Sequence, residues 1–438
     1  MFDTLDWDVG LVAGESDQTN TDSDLSEIEP DRHVLPADLE SIPPNNFLAA
    51  ILSTVDVSLL SGYDLVRYVQ AQERLVSHHQ AVYYQGVAEL AYATDSHTTA
   101  RGSLNEFASD ELQAALAKTR RAADADLDLA LDLKTRLPQV WEALCDGHID
   151  DRRARVFARE TTTLDPQLIA DVVDPLLEEA SDLTTGQLGS RLAKRVIQAD
   201  PAAAEDEYQT GLQDRRVSAY PNPDHTANLL ISNISPQDAV GISDDLHTHA
   251  LSLKRLPGET RTLQQIMADL AVDRLKAADS TGHPVQPKIV VHVKPGDPTV
   301  HVPGYGPILH SSLEVLTDRA DITTITKSSN TEDLTDHITA DCHQTPSREP
   351  TKAQVEHVRQ HYPVCIFMGC RMAAERCDID HRHPYHNGGR TICVNLAPRC
   401  RHHHVCKTRT LWQLERNPDG SHTWTSPLGH TYTTRAPP

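Results

Sequence analysis

The sequence predicts a mainly α-helical protein with small β elements, in which a large helical N-terminal domain precedes a small C-terminal domain built around metal ligands. Apolar residues recur at three- and four-residue steps from Leu48 onward, which is the period of a helix with one buried face. From Arg216 short alternating or β-branched runs appear among the helical segments, and these favour a small sheet. Six of the eight cysteines lie between Cys365 and Cys406, which indicates a compact metal-binding region at the end of the chain.

The elements follow from these patterns in chain order. Helices are predicted over the segments 61–93, 104–135, 138–145, 150–162, 166–179 and 184–198. Another helix opens at Asp200, with Pro201 in its first turn, and two more are predicted over 236–253 and 262–277. Strands are predicted over 216–220, 227–232 and 288–293.

Composition divides the chain into four parts. Residues 1–46 are acidic and rich in Asp, Ser, Thr and Pro, so they are predicted to be disordered. A mostly helical domain is expected over 47–320, a linker rich in Thr, Ser and Asp over 321–351, and a small domain over 352–438. In the last part a turn at Asn417 to Gly420 predicts a terminal hairpin, Trp412 and Trp424 are expected to cover the core, and His422 and His430 are expected on the surface.

Charge is distributed unevenly between these parts. The whole chain carries a formal charge of -23. Residues 352–438 hold 12 Lys and Arg against 6 Asp and Glu, a balance of +6, which leaves -29 on residues 1–351. A basic C-terminal domain suits a phosphate-bearing partner, whereas the acidic remainder would repel one unless it faces away.

The cysteine and histidine spacing predicts a structural zinc site. Cys365 and Cys370 have the short spacing of a zinc knuckle, and Cys400 with His403 supplies two further ligands of a tetrahedral Cys3His site. Such an ion would tie the segment before Asp380 to the helix after it, in a domain whose own core is thin. The remaining cysteines of this region, Cys377, Cys393 and Cys406, are interpreted as small core thiols.

A second group of residues has the composition of a hydrolytic metal site. Asp380 and His381 are adjacent, Asn395 follows fourteen residues later, and His404 lies nine beyond that. On one helix, His403 and His404 diverge by about 100°, so the two imidazoles can serve different metals.

This order of residues resembles the HNH endonuclease family, whose ββα-metal core is a two-stranded hairpin followed by a helix. The resemblance implies that Asp380-His381 ends the first strand, that residues 383–390 with Gly388-Gly389 form the loop, and that 391–394 return as the second strand. Asn395 would then be the N-cap of a helix running to about Trp412.

The same resemblance implies roles for the side chains. His381 is the expected general base, and Asp380 with His404 is expected to bind a divalent cation, Mg or Mn by the chemistry of its ligands, with Ni or Zn as alternatives. Asn395 would hold the loop and His381 in place or join the metal shell. The residues expected to contact nucleic-acid phosphates are Lys407, Arg359, Arg399 and Arg401.

The longer chain also resembles HNH proteins with a long, mostly helical N-terminal domain of unknown function. That likeness is carried by diffuse features such as Leu137-Pro138, Gly147 to Asp150, Asp200-Pro201 and Arg215 to Val217, and it implies no activity for the helical part. A role in selecting substrate or partner, or in forming an oligomer, is the expectation for it.

Three alternatives to a DNA endonuclease stay open at this point. The cluster can be an adventitious metal-binding tail, the fold can be a zinc-stabilised DNA-binding or regulatory protein without catalysis, or the substrate can be RNA. The start of the chain has no basic and apolar leader pattern and no window approaches a membrane span. Together with the clustered cysteines, this predicts a cytoplasmic protein without a membrane partner.

Overall fold

The computed structural model describes residues 35–94, 101–276, 288–293, 299–302, 306–309, 321–326 and 345–435. It is mainly helical with small, mostly antiparallel sheets, which confirms the coarse fold class. The chain divides into two compact units, residues 1–75 and 76–438. Among the described residues, none of the helices combines the length and the apolar character needed to cross a membrane.

The first unit contains short helices around its own apolar core. A 3-10 turn at Leu39–Ser41 precedes α1 (Asn46–Ser53), a second turn at Val57–Leu59 follows, and α2 (Gly62–Leu90) begins in this unit. Leu35 and Leu39 are buried in the core of this unit. Part of the segment predicted to be disordered, residues 35–46, is therefore folded, while residues 1–34 lie outside the described part of the chain.

The helical region of the second unit follows the predicted segments closely. Its helices are α3 (Ala108–Ala115), α4 (Arg120–Thr135), α5 (Pro138–Cys145), α6 (Asp151–Glu160), α7 (Ile169–Leu177), α8 (Thr185–Ala199) and α9 (Pro201–Gln213). One predicted helix, 104–135, is in fact two. Ala117 adopts a left-handed φ of 50°, which ends α3, and the Thr119 side chain caps α4 by accepting from the Ala122 N–H.

A β hairpin and two helices come next. The strands β1 (Arg216–Pro221) and β2 (Ala227–Ser232) pair antiparallel, and α10 (Pro236–Lys254) packs on α11 (Leu263–Lys276). A four-stranded sheet of order β5-β4-β3-β6 is formed by β3 (Lys288–Val293), β4 (Thr299–Val302), β5 (Gly306–Leu309) and β6 (Asp321–Thr326). Because β6 lies inside the predicted linker, that segment is not structureless over its first six residues.

The C-terminal region places a hairpin against a helix. Its elements are α12 (Lys352–His361), β7 (Asp378–His381), β8 (Leu396–Arg399), α13 (Arg401–Arg409) and the three strands β9 (Gln413–Arg416), β10 (His422–Thr425) and β11 (Thr431–Thr434). β7 and β8 are antiparallel, with His381 opposite Leu396. The turn between β9 and β10 confirms the predicted terminal hairpin, to which β11 adds a third strand.

Three predictions about this region are wrong in position: the second strand, the N-cap of the helix and the end of the helix. The returning strand is Leu396–Arg399 instead of residues 391–394, and residues 393–395 form a 3-10 turn. The helix begins at Arg401 with Cys400 as its N-cap residue, so Asn395 does not cap it. The helix ends at Arg409, one turn earlier than predicted.

A second apolar core lies beneath this region. Trp424 is fully buried and Trp412 is 4% exposed, as the sequence predicted, and Phe367 packs edge-on against both indoles. His422 was expected on the surface but is buried at 1% exposure. Burial, together with the nearby arginine charges, lowers the pKa of His422 to about 3, so this imidazole is neutral and belongs to the core. His430 is exposed, as expected.

Candidate functional site

The loop between β7 and β8 is fixed by two glycines and one asparagine. Gly388 has a left-handed φ of +89°, and a Cβ on Gly389 would lie 1.9 Å from the His383 carbonyl oxygen. Asn395 donates from Nδ2 to the carbonyls of His383 (3.1 Å) and Arg390 (2.9 Å) and accepts the His383 N–H at 2.9 Å. Asn395 thus ties residues at the two ends of the loop together. This position suits the first of its two expected roles, which is to hold the loop in place.

Three thiols and one imidazole converge at the other side of α13. The ligand atoms of Cys365, Cys370, Cys400 and His403 all lie within 4.8 Å of one another. Nδ1 of His403 is 3.4 Å from the Cys365 sulfur and 3.1 Å from the Cys400 sulfur. Tetrahedral zinc with thiolate ligands would set neighbouring sulfurs about 3.8 Å apart. The four residues therefore form a cluster that can hold a metal ion.

Local structure explains how these ligands meet. Cys365 and Cys370 flank a turn in which Gly369 has a φ of +66°, Cys400 is the N-cap residue of α13, and His403 lies in its first turn. The His403 ring stacks on Phe367 with centroids 4.0 Å apart. Hydrogen bonds among the thiols lower the pKa of Cys400 and raise that of Cys370.

Two of the remaining cysteines of the region are buried free thiols, Cys377 and Cys406. Cys393 departs from that interpretation because it is disulfide-bonded, although it too is buried.

Asp380 and His404 form a second pair on the opposite flank. Oδ1 of Asp380 lies 3.6 Å from Nε2 of His404, a separation that suits two ligands of one cation at about 2.1 Å each. Oδ2 of the same carboxylate is turned toward Arg399 and toward Nζ of Lys407, the latter at 3.4 Å. Burial opposes ionisation of Asp380, but the charges of Arg399 and Lys407 hold the pKa of its carboxyl below the usual value.

Asp378 orients the imidazole of His404. Its Oδ2 lies 2.8 Å from Nδ1 of His404, so the ring donates Nδ1–H to Asp378 and its Nε2 faces Asp380. Asp378 and Asp380 are two apart in β7 and therefore share one face of the strand. The two-residue period of a strand would have placed Asp378 beside Asp380, but the sequence alone had led to no role for Asp378.

His381, the last residue of β7, is 6% exposed. Its Nε2 lies 2.8 Å from the Thr391 hydroxyl, and its ring centroid is 5.7 Å from that of Tyr385. The contact with Thr391 fixes the orientation of the His381 ring. Burial, aided by the charges of Lys407 and Arg399, lowers the pKa of His381, which keeps the imidazole in its neutral form. Thr391 is the second residue with a positioning role that the sequence reasoning missed.

The predicted phosphate-binding residues have unequal positions. Arg399 is fully buried and pairs with Asp380, so it does not face solvent. The Lys407 ammonium is mostly buried and donates to the His381 carbonyl at 2.5 Å; burial lowers its pKa to about 8. Arg359 is partly buried and reaches the Glu375 carbonyl, whereas the Arg401 side chain is 80% exposed and is the best placed of the four to meet a phosphate.

Helix α3 contributes two acidic residues to the contacts of the C-terminal region, and no local sequence pattern predicted them. Asp110 contacts His402 of α13, and Glu111 accepts from the hydroxyls of Ser426 (2.7 Å) and Tyr432 (3.2 Å). The sequence separation exceeds 290 residues in each case, so no spacing or period could have connected them.

Comparison with known proteins finds similar proteins whose names state no activity. No family model matches the chain, and no solved structure matches it. The chain is 28% identical to the uncharacterized protein Rv3776 of Mycobacterium tuberculosis over 387 residues, covering 75% of this chain and 70% of that protein. Over 90 residues, 20% of this chain, it is 46% identical to the uncharacterized proteins MT2160 and Rv2100 of the same species, but it spans only 16% of their length.

Proposed function

We propose that the protein is a metal-dependent endonuclease of the HNH type that hydrolyses phosphodiester bonds in DNA, with a structural zinc ion and a helical domain for substrate or partner selection. The observation that carries the proposal is the arrangement around α13. The His404 imidazole faces Asp380, with its other nitrogen held by Asp378, while the neighbouring His403 faces three thiols.

Hydrolysis of a phosphodiester requires a base for water and a group that neutralises charge on the phosphorus and the leaving oxygen. His381 accepts the proton from water at Nδ1, while Thr391 holds the ring through Nε2. Oδ1 of Asp380 and Nε2 of His404 would hold a divalent cation, Mg or Mn, with Ni or Zn as alternatives. That cation supplies Lewis-acid stabilisation of the developing negative charge.

The remaining residues keep this geometry in place. Arg399 and Lys407 both donate to the His381 carbonyl, at 2.9 and 2.5 Å, and both face Oδ2 of Asp380. They fix the end of β7 and leave Oδ1 of Asp380 turned toward His404. Asn395 closes the loop behind His381. The exposed Arg401 and the positive balance of residues 352–438 supply attraction for phosphates.

The Cys365, Cys370, Cys400 and His403 cluster is proposed as the structural zinc site. Three sulfurs and one nitrogen match the preference of zinc for soft ligands in closed tetrahedral sites. The ion would join the Cys365–Cys370 turn to α13, and so hold His404 against β7.

One observation favours a second candidate, a zinc-stabilised DNA-binding or regulatory protein that does not cleave. Oδ2 of Asp380 is occupied by two cationic side chains, an arrangement that also serves as a purely structural ion-pair network. The two candidates differ in whether a divalent metal switches on hydrolysis.

The test is plasmid nicking by the full chain with Mg or Mn, with an RNA substrate as a parallel arm. We expect His381→Ala to lower the cleavage rate at least about 100-fold, because general-base catalysis contributes about that much or more, while zinc measured by mass spectrometry stays near one ion per chain. His386→Ala is the control, since His386 is an exposed histidine of the same loop. DNA binding by the wild type without cleavage under any divalent metal would favour the second candidate.

A further inference from the structure

A buried carboxylate of the helical region faces the zinc cluster. Asp110 of α3 is 0% exposed, and both of its oxygens lie 3.0 Å from Nε2 of His402. Its Oδ1 lies 3.4 Å from Nε2 of His403. A buried carboxylate is destabilising unless it is paired, so the contact with His402 of α13 stabilises Asp110 in this position.

The two ring nitrogens of His403 have different surroundings. Nδ1 faces the sulfurs of Cys365 and Cys400. Nε2 is buried and forms no well-aligned hydrogen bond in the described part of the chain, and the Asp110 oxygen is the carboxylate that faces it. A histidine that binds metal through one nitrogen commonly donates the other N–H to a carboxylate, which fixes the tautomer and strengthens the ligand.

We propose that Asp110 is the outer-shell carboxylate of the zinc site: a positioning residue on α3 that accepts Nε2–H of His403 and thereby fixes Nδ1 as the metal-binding nitrogen. This inference rests on the proposed zinc site and deepens it. It makes the helical region a part of the metal centre, although all four ligands come from the C-terminal region.

Further contacts seat α3 on the metal-binding turn. Nε2 of Gln113 donates to the Met368 carbonyl inside the turn that carries Cys365 and Cys370. A Cβ on Gly369 would lie 2.3 Å from the Lys118 carbonyl oxygen, so the turn can approach the end of α3 this closely only with glycine at that position. Phe107 and Ala114 share one buried core with the metal-binding cysteines. The carboxylate of Asp110 is therefore held at a fixed place relative to His403.

The variant Asp110→Asn in the full chain tests the proposal, because it keeps the shape of the side chain and removes its charge. We expect zinc affinity, measured by competition with a chromophoric chelator, to fall about 10- to 100-fold. Glu111→Gln is the matched control: Glu111 neighbours Asp110 on the same helix and bonds Ser426 and Tyr432 instead of a zinc ligand. Its zinc affinity should stay within about threefold of the wild type. We expect the d–d absorption of the cobalt-substituted protein to shift in Asp110→Asn and not in Glu111→Gln.

A second readout uses the wild type and does not depend on the folding of any variant. In ¹⁵N-labelled, zinc-loaded protein, the His403 imidazole should show a protonated Nε2 and a metal-bound Nδ1. Metal bound through Nε2, two zinc ions per chain, or equal zinc affinity in the Asp110→Asn and wild-type proteins would overturn the inference. In those cases the zinc site itself would stand. A wild type that binds no zinc would instead overturn the zinc proposal on which the inference rests.

Discussion

His403 and His404 are neighbours in sequence that serve different parts of the molecule. His403 is fully buried and faces the thiols, whereas His404 is partly exposed and lies between Asp378 and Asp380. Successive residues of a helix differ by about 100° around its axis, which is why one short helix can supply both sites. This division followed from spacing alone, since the sequence predicted all four residues of the cluster and the separation of the two imidazoles.

Residue-level partners were harder to predict than ligands. Thr391 was predicted to lie in a strand, and its hydroxyl instead meets His381. Arg399 was expected to face a nucleic acid, but it is buried against Asp380. Candidate metal ligands can be recognised in a sequence by their residue type. The residues that hydrogen-bond to them are set by tertiary packing, which the local sequence does not encode.

The pH dependence of cleavage is a prediction at this scale. His381 accepts a proton only when neutral, and burial lowers its pKa below the ordinary value of 6.5. Activity should therefore be lost as the pH falls through a pKa below 6.5 and be flat across neutral pH. The measurement is kcat/KM against pH at saturating Mn, repeated at twice the metal concentration to show that metal binding does not set the profile. A rising limb centred above 6.5 would contradict this role of His381.

At the scale of elements, the hairpin shows why the second strand was misplaced. Residues 391–394 are β-prone, but β8 is Leu396–Arg399 and contains Pro398. Proline argues against a central strand, yet it is tolerated at an edge. β8 pairs only with β7 among the described strands, so the proline is accommodated there. By contrast, the glycine pair was correctly placed in the loop, because both positions depend on backbone geometry that glycine alone satisfies.

The loop glycines give a prediction with an internal control. A Cβ on Gly389 would meet a backbone carbonyl at 1.9 Å, whereas Gly388 has nothing within 4 Å and only its left-handed φ to oppose a side chain. Gly389→Ala should lower the free energy of unfolding by about 3 kcal/mol, as overpacking does at its upper range. Gly388→Ala should cost about 1 kcal/mol. Urea unfolding of both variants in parallel measures the difference, and equal costs would show that the loop relaxes around the new methyl group.

At the scale of the whole molecule, the helical pattern was predictable and the assembly was not. Most helices of residues 76–276 lie within a few residues of the predicted segments, because amphipathic periods and proline or Asp caps are local signals. The docking of α3 onto α13 joins residues almost three hundred positions apart. The domain boundary was predicted at residue 352, but the apolar core around the cluster of three cysteines and His403 also includes Phe107 and Ala114 from the helical region.

At this scale, the structure shows that the charge counted from the sequence includes basic side chains that do not face solvent. Residues 352–438 carry the basic balance of an otherwise acidic chain, yet several of their cations are turned inward. Arg382 and Arg399 are buried, and Lys407 is bonded to Asp380 and His381. Long-range attraction of a nucleic acid would depend on net charge, but in the proposed nuclease direct phosphate contact would rest on exposed side chains such as Arg401.

The central claim is that two metal sites with different tasks share α13, and the variant His404→Ala tests it most directly. Zinc content and plasmid cleavage are measured on the same purified full-length sample. We predict about one zinc ion per chain, as in the wild type, because His404 lies outside the thiol cluster, together with a loss of Mn-dependent cleavage of at least about 100-fold. Cleavage that survives the substitution, or zinc that is lost with it, would contradict the division of the two sites.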